Sequence, residues 1–151
     1  MIRPRLGLGL LLWVLAAVPA GADDVRIAVI SDLNGSYGST DYSRNVHKAV
    51  AAIVALSPDV VLSAGDMVAG QRRPALSDAE VRAMWRSFHE AVTEPLARAG
   101  IPLAATPGNH DGSAYSGFEA ERRIYEDEWK ARRPFLRFVE DKTYPFFYAF
   151  D

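Results

Sequence analysis

The sequence predicts an α/β fold with parallel core strands. Three observations carry that prediction. Short apolar runs alternate along the chain with segments of helical spacing. The runs are nearly continuous in apolar character, as strands buried on both faces are. Each is followed by a loop and then a helix, the connection that parallel neighbours need.

The first run spans residues 25–30 (VRIAVI), followed by a loop rich in Gly, Ser and Asn over residues 31–43. Residues 44–56 place Val46, Ala49, Val50, Ile53 and Val54 at helical spacing, and Ser57-Pro58 stops that helix. Residues 59–64 (DVVLSA) form the second strand and residues 65–76 a second loop. Ser77 and Glu80 fit a capping box, with an acid three residues after the N-cap. The helix they open presents Val81, Trp85, Phe88, Val92 and Leu96 on one face and stops near Gly100. Residues 101–105 (IPLAA) form a third strand, with Pro102 near its N-terminal end. A loop over residues 106–117 precedes a helix over residues 119–133, which Pro134 ends. Residues 135–151 hold seven aromatics. An extended 144–150 segment puts Tyr144, Phe146, Tyr148 and Phe150 on one face and Phe147 and Ala149 on the other. That segment is expected to be a strand buried on both sides. With nothing after it to cover its edge, residue 151 is expected not to be the natural end of the protein.

Residues 1–22 read as a secretory signal peptide. Arg3 and Arg5 stand at the start, an apolar run covers residues 6–18, and Ala20-Gly21-Ala22 supplies a small-residue cleavage site. The run is short of the ~20 residues that span a bilayer, so no membrane anchor is expected after cleavage. The predicted location is periplasmic or secreted. Residues 23–151 are about 46% apolar, enough to build a core and too many for a disordered tail. They carry 15 basic and 19 acidic residues with no basic block, so no nucleic-acid-binding stripe is present. The absence of cysteine excludes disulfides, a thiolate nucleophile and Cys-ligated zinc.

The chemistry stands at the strand ends. The first strand runs into Asp32-Leu33-Asn34-Gly35, the second into Gly65-Asp66, and the third leads to Gly108-Asn109-His110-Asp111. Ligands of parallel α/β sheets bind outside the carboxyl ends of the strands. Three such ends bring carboxylates, amides and one imidazole together, all of them metal-ligand types. No Gly-x-Ser-x-Gly, no Gly-x-x-x-x-Gly-Lys-Ser/Thr and no Gly-x-Gly-x-x-Gly occurs, which removes the common serine-hydrolase and phosphate-loop alternatives. His47 and His89 are read as surface positions on helices, and Trp85 and Trp129 as core. Tyr37, Ser39 and Asp41 stand in the loop after the first motif and are read mainly as loop. Arg72 and Arg73 are read as a solvated pair.

In these motifs the sequence resembles the calcineurin-like metallophosphoesterases, over about residues 25–151. The family pattern is Asp-x-His, Gly-Asp, Gly-Asn-His-Asp/Glu, then two later His motifs. Gly65-Asp66 and Gly108–Asp111 match completely. The first motif matches at Asp32 and departs at Asn34, where the family usually has His. The resemblance implies a layered α/β sandwich, of which residues 23–151 are the N-terminal part. It implies hydrolysis of phosphate mono- or diesters at a dinuclear centre of divalent ions (Mn, Fe, Zn or Mg). Asp32, Asn34, Asp66 and Asn109 would be metal ligands, with Asp66 bridging. His110 would serve the leaving group, and Asp111 would orient His110 through its other ring nitrogen. Asn34 supplies a neutral oxygen in place of imidazole, which shifts preference toward Mn²⁺ or Mg²⁺.

His110 is the last histidine, so the two later motifs are absent. Four direct ligands are fewer than a two-metal site normally takes. Residues 23–151 alone are therefore expected to bind metal weakly and turn over phosphate esters poorly. The missing C-terminal half of the same domain is the expected partner. The competing reading is a non-catalytic exported module that keeps half of the phosphoesterase fold. Asn34→His separates the two, because only a metal site should change its metal preference.

Overall fold

The structure is a computed structural model and describes residues 24–151. The signal-peptide reading of residues 1–22 lies outside the described residues. No helix among them is long and apolar enough to cross a membrane.

Three parallel strands, β1 (Ile27–Ile30), β2 (Val60–Ser63) and β3 (Leu103–Ala105), form one sheet in the order β1-β2-β3. Ile27 pairs with Val60 and Val61 with Leu103, so all three strands end at one edge. Helices flank the sheet, as the alternation predicts.

The helix α1 (Arg44–Leu56) has the ends its sequence predicts. Ser43 caps it by accepting the Val46 N–H at 3.4 Å, and Ser57 closes it in the left-handed region at φ 46°. Val46, Val50 and Ile53 are buried, while Ala49 faces solvent. The helix α2 (Asp78–Phe88) starts at the capping box. Ser77 Oγ accepts the Glu80 N–H, and Glu80 Oε2 accepts the Ser77 N–H at 2.7 Å.

The single helix expected up to Gly100 is in fact three pieces. A π-helical turn, His89–Thr93, separates α2 from α3 (Glu94–Arg98). Pro95 supplies the reason. It has no N–H to give to Ala91, and its ring would strike that carbonyl in a regular helix. The chain widens by one residue instead, and the Glu94 N–H reaches His89 O.

The apolar face survives this change: Val81, Trp85, Phe88, Val92 and Leu96 are all buried. Trp85 meets Phe88 at 5.7 Å and Trp129 at 6.2 Å between ring centroids. Trp129 and Tyr125 come from α5 (Glu119–Ala131). Each buried ring contributes about 1.5–3 kcal/mol by leaving water, so this aromatic cluster anchors the helical layer. His89 lies inside it, 1% exposed, which corrects the surface reading. Its Nδ1 pairs with Thr93 Oγ1 at 3.0 Å, and its Nε2 lies 3.5 Å from Glu128 Oε2. Burial, with the Arg132 charge as a smaller cause, lowers its pKa to about 3.

Two further strand expectations change. The first strand is not buried on both faces: Ala28 and Ile30 pack on the core, but Ile27 and Val29 are 54% and 67% exposed. The aromatic C-terminal segment is a hairpin, β4 (Phe138–Thr143) with β5 (Phe147–Phe150), paired antiparallel. Phe147 is 77% exposed, so β5 is not covered on both sides. Its other face is held, with the Tyr148 hydroxyl donating to Ala105 O at 2.8 Å.

Candidate active site

Hydrogen bonding does not stop where the strands end. The Asp32 N–H donates to Gly65 O at 3.2 Å and the Asn34 N–H to Asp66 O at 3.1 Å. These bonds align the first motif loop with the second. Asp32 and Asp66 both lie in the left-handed region at φ 53°, a conformation that costs a non-glycine residue about 1 kcal/mol and aims its side chain out of the strand direction.

The second and third loops meet backbone to backbone. A β-carbon on Gly65 would stand 2.4 Å from Gly108 N. Here glycine is required by contact, since only its missing side chain lets the loops approach. The His110 N–H donates to Asp66 Oδ1 at 3.1 Å across this seam. Asp66 and the Asn109-His110 pair are thereby brought together. Asn109 is the first residue of α4 (Asn109–Gly112), a short helix inside the region expected to be a loop.

Asp111 departs from its expected role. It is 1% exposed, and its carboxylate bonds to backbone N–H groups, not to the His110 ring. Its Oδ1 accepts the Met67 and Val68 N–H groups at 2.8 and 2.9 Å, and its Oδ2 accepts the Gly108 N–H at 2.8 Å. Asp111 is the pin that fastens the Gly-Asp loop to the Gly-Asn-His loop. Burial raises its pKa to about 6, with the three N–H groups opposing and Asp66 adding to the rise.

The partner of His110 is Gly70. His110 Nδ1 lies 2.8 Å from Gly70 O, and the Gly70 N–H returns a bond to His110 O at 3.1 Å. A carbonyl only accepts, so Nδ1 carries the proton and Nε2 is the nitrogen left for chemistry. The Tyr37 ring stands 5.3 Å from the imidazole.

Gly70 and Gln71 were not among the sequence candidates, and neither was Glu121. Glu121 is 3% exposed, its Oε2 accepts the Gln71 N–H at 2.8 Å, and burial raises its pKa. The one sequence signal was the position of Gly70-Gln71 just after the Gly-Asp motif. Arg72 and Arg73 are engaged by the protein: Arg72 reaches Glu80 at 3.7 Å, and Arg73 lies over the Phe118 ring at 5.0 Å. Ser39 and Asp41 close a local turn, the Asp41 N–H donating to Ser39 Oγ. His47 is exposed, and Trp85 and Trp129 are core, as expected.

A comparison with protein families matches the calcineurin-like phosphoesterases over residues 25–150. The chain belongs to the calcineurin-like phosphoesterase family. A comparison with curated proteins finds no match.

This family typically binds dinuclear metals. Among the described residues no three His, Asp or Glu side chains converge to hold a metal ion. The oxygen donors on the joined loops are two carboxylates, Asp32 and Asp66, and two amides, Asn34 and Asn109. Asn34 Nδ2 donates to Val68 O at 3.3 Å, and Asn109 Nδ2 donates to Gln71 Oε1 at 2.8 Å. With both amide nitrogens engaged, the amide oxygens remain as donors. An all-oxygen set fits a hard divalent cation such as Mn²⁺ or Mg²⁺.

Proposed function

We propose that this chain supplies the metal-dependent hydrolytic site of a phosphate mono- or diesterase. Asp32, Asn34, Asp66 and Asn109 would hold the cations. Bound divalent metal would supply an activated water and neutralise phosphate oxygens. Protonated at both ring nitrogens, His110 would give its Nε2 proton to the departing alkoxide and keep its Nδ1–H on Gly70 O. The observation that carries this reading is the His110–Gly70 clamp beside Asp66, because a purely structural loop has no need of a tautomer-fixed imidazole. Asp111 would act at one remove, by pinning the two loops. The leader-like residues 1–22 support export to the periplasm or beyond.

The test is a Mn²⁺ titration of the chain, followed by inorganic phosphate binding with and without Mn²⁺. Phosphate binding that requires Mn²⁺ and disappears in Asp66→Asn is the expected result. Slow alkyl phosphate hydrolysis, lost in His110→Gln, should accompany it. Phosphate binding indifferent to Mn²⁺ and to Asp66→Asn would overturn the reading and leave the non-catalytic module.

A further inference from the structure

Gln71 adopts a backbone conformation that its side chain disfavours. Its φ is +65°, in the left-handed region, where a residue with a β-carbon is strained. Such strain persists only where surrounding contacts enforce it. Three contacts do so here. The Gln71 N–H donates to the buried Glu121 carboxylate at 2.8 Å. Gln71 Nε2 donates to Ser113 Oγ at 2.9 Å. Gln71 Oε1 accepts Asn109 Nδ2 at 2.8 Å. Gly70 makes the first contact possible, because a β-carbon there would stand 2.7 Å from Glu121 Oε2 and 2.4 Å from His110 O.

Ser113 Oγ accepts both the Tyr115 N–H at 3.1 Å and the Gln71 Nε2 proton, and Gln71 Oε1 faces Asn109. Only the NH₂ end of the Asn109 amide satisfies it. A flipped Asn109 would set two carbonyl oxygens against each other and lose the bond. Asn109 itself is exposed and begins a helix of four residues, so its own packing does not choose between the two flips.

We propose that Gln71 is the positioning residue that fixes the Asn109 amide so that Oδ1 is its presented atom. The consequence for metal rests on the phosphoesterase reading, since a cation takes the amide oxygen and never the NH₂. Gln71 would then act on a bound cation through Asn109 without touching it, as partners of metal ligands do.

Two readouts test this separately. The first uses the metal-free chain and needs no activity. The Asn109 side-chain NH₂ pair is followed by ¹⁵N NMR for hydrogen exchange and for a scalar coupling across the bond. One hindered, slowly exchanging proton is expected in the wild type and in Gln71→Glu, which keeps an acceptor. In Gln71→Met it should exchange freely. Free exchange in the wild type overturns the proposal without any variant having to fold. The second readout is Mn²⁺ affinity, expected to fall about 10–100-fold in Gln71→Met and to recover in Gln71→Glu, with backbone amide spectra distant from the loop unchanged. A clamped amide with unchanged Mn²⁺ affinity in Gln71→Met would overturn the role toward metal. Failure of wild-type Mn²⁺ binding would instead sink the phosphoesterase reading, and the amide resonances would still decide the clamp.

Discussion

Gly108 and Asp66 are packed so closely that a β-carbon on Gly108 would stand 2.1 Å from Asp66 Oδ1 and 2.4 Å from Asp66 N. The second of these is backbone and cannot swing aside. Gly108→Ala must therefore separate the two loops. The expected loss of stability is about 1–3 kcal/mol, read by urea unfolding. Mn²⁺ affinity should fall further than that of a distant substitution of equal stability cost.

Asp111→Asn tests the pin. Asn offers one acceptor oxygen where Asp111 offers two, and its NH₂ would face a backbone N–H. At least one of the Met67, Val68 and Gly108 N–H groups is left unsatisfied in a buried place. The cost is on the order of 3 kcal/mol, measured by chemical denaturation. Loss of activity should follow loss of folding, with the surviving folded fraction retaining its leaving-group preference.

His110→Gln tests the proton donor. The loss in kcat should be about 10²–10⁴-fold for an alkyl phosphate, whose alkoxide needs a proton. For a nitrophenyl phosphate, whose leaving group departs as an anion, the loss should be much smaller. Equal losses for both would assign His110 to phosphate binding alone.

The buried His89 predicts an acid sensitivity. Its pKa is about 3 in the folded chain against an ordinary 6.5. Between those values the unfolded chain holds the extra proton, so stability falls as pH drops from about 6.5 toward 3. The slope approaches about 1.4 kcal/mol per pH unit for one proton. Asp111, raised to about 6 from 3.8, acts in the opposite sense: its share of stability is present below 3.8 and lost as pH rises through 6. Comparing wild type with His89→Gln cancels the Asp111 contribution. The variant should show the shallower loss between pH 6.5 and 4 in urea midpoints, and an identical profile would refute the assignment.

Much of this fold was legible because local signals agreed with tertiary demand. Ser57-Pro58 and the Ser77/Glu80 box mark helix ends by chemistry that acts within one turn. The three motif loops were legible for a related reason: a parallel sheet puts all its carboxyl ends at one edge. Other features depend on contacts that no window of sequence contains. The strand Phe138–Thr143 includes Glu140, Asp141 and Lys142, and is a strand only because Phe147–Phe150 pairs with it. His89 looked like a surface residue on a regular helix, but the widened turn that Pro95 imposes lies at that point and the aromatic cluster encloses it. Asp111 and Gln71 were misread or missed because their partners lie 38 to 50 positions away along the chain or belong to the backbone.

The bond from His110 Nδ1 to Gly70 O also limits how a proton can travel. An imidazole acts as a relay only when one nitrogen takes a proton as the other releases one. Here one end of the ring is tied to an acceptor that has no proton to give. In the proposed hydrolysis His110 is therefore a single-port donor, and Nε2 must be reloaded from the side on which it discharged. Recharging has to wait until the leaving group has vacated that side and solvent has returned. Departure of the alcohol and recovery of the acid are thus ordered events, and a bulky alcohol that lingers would delay both.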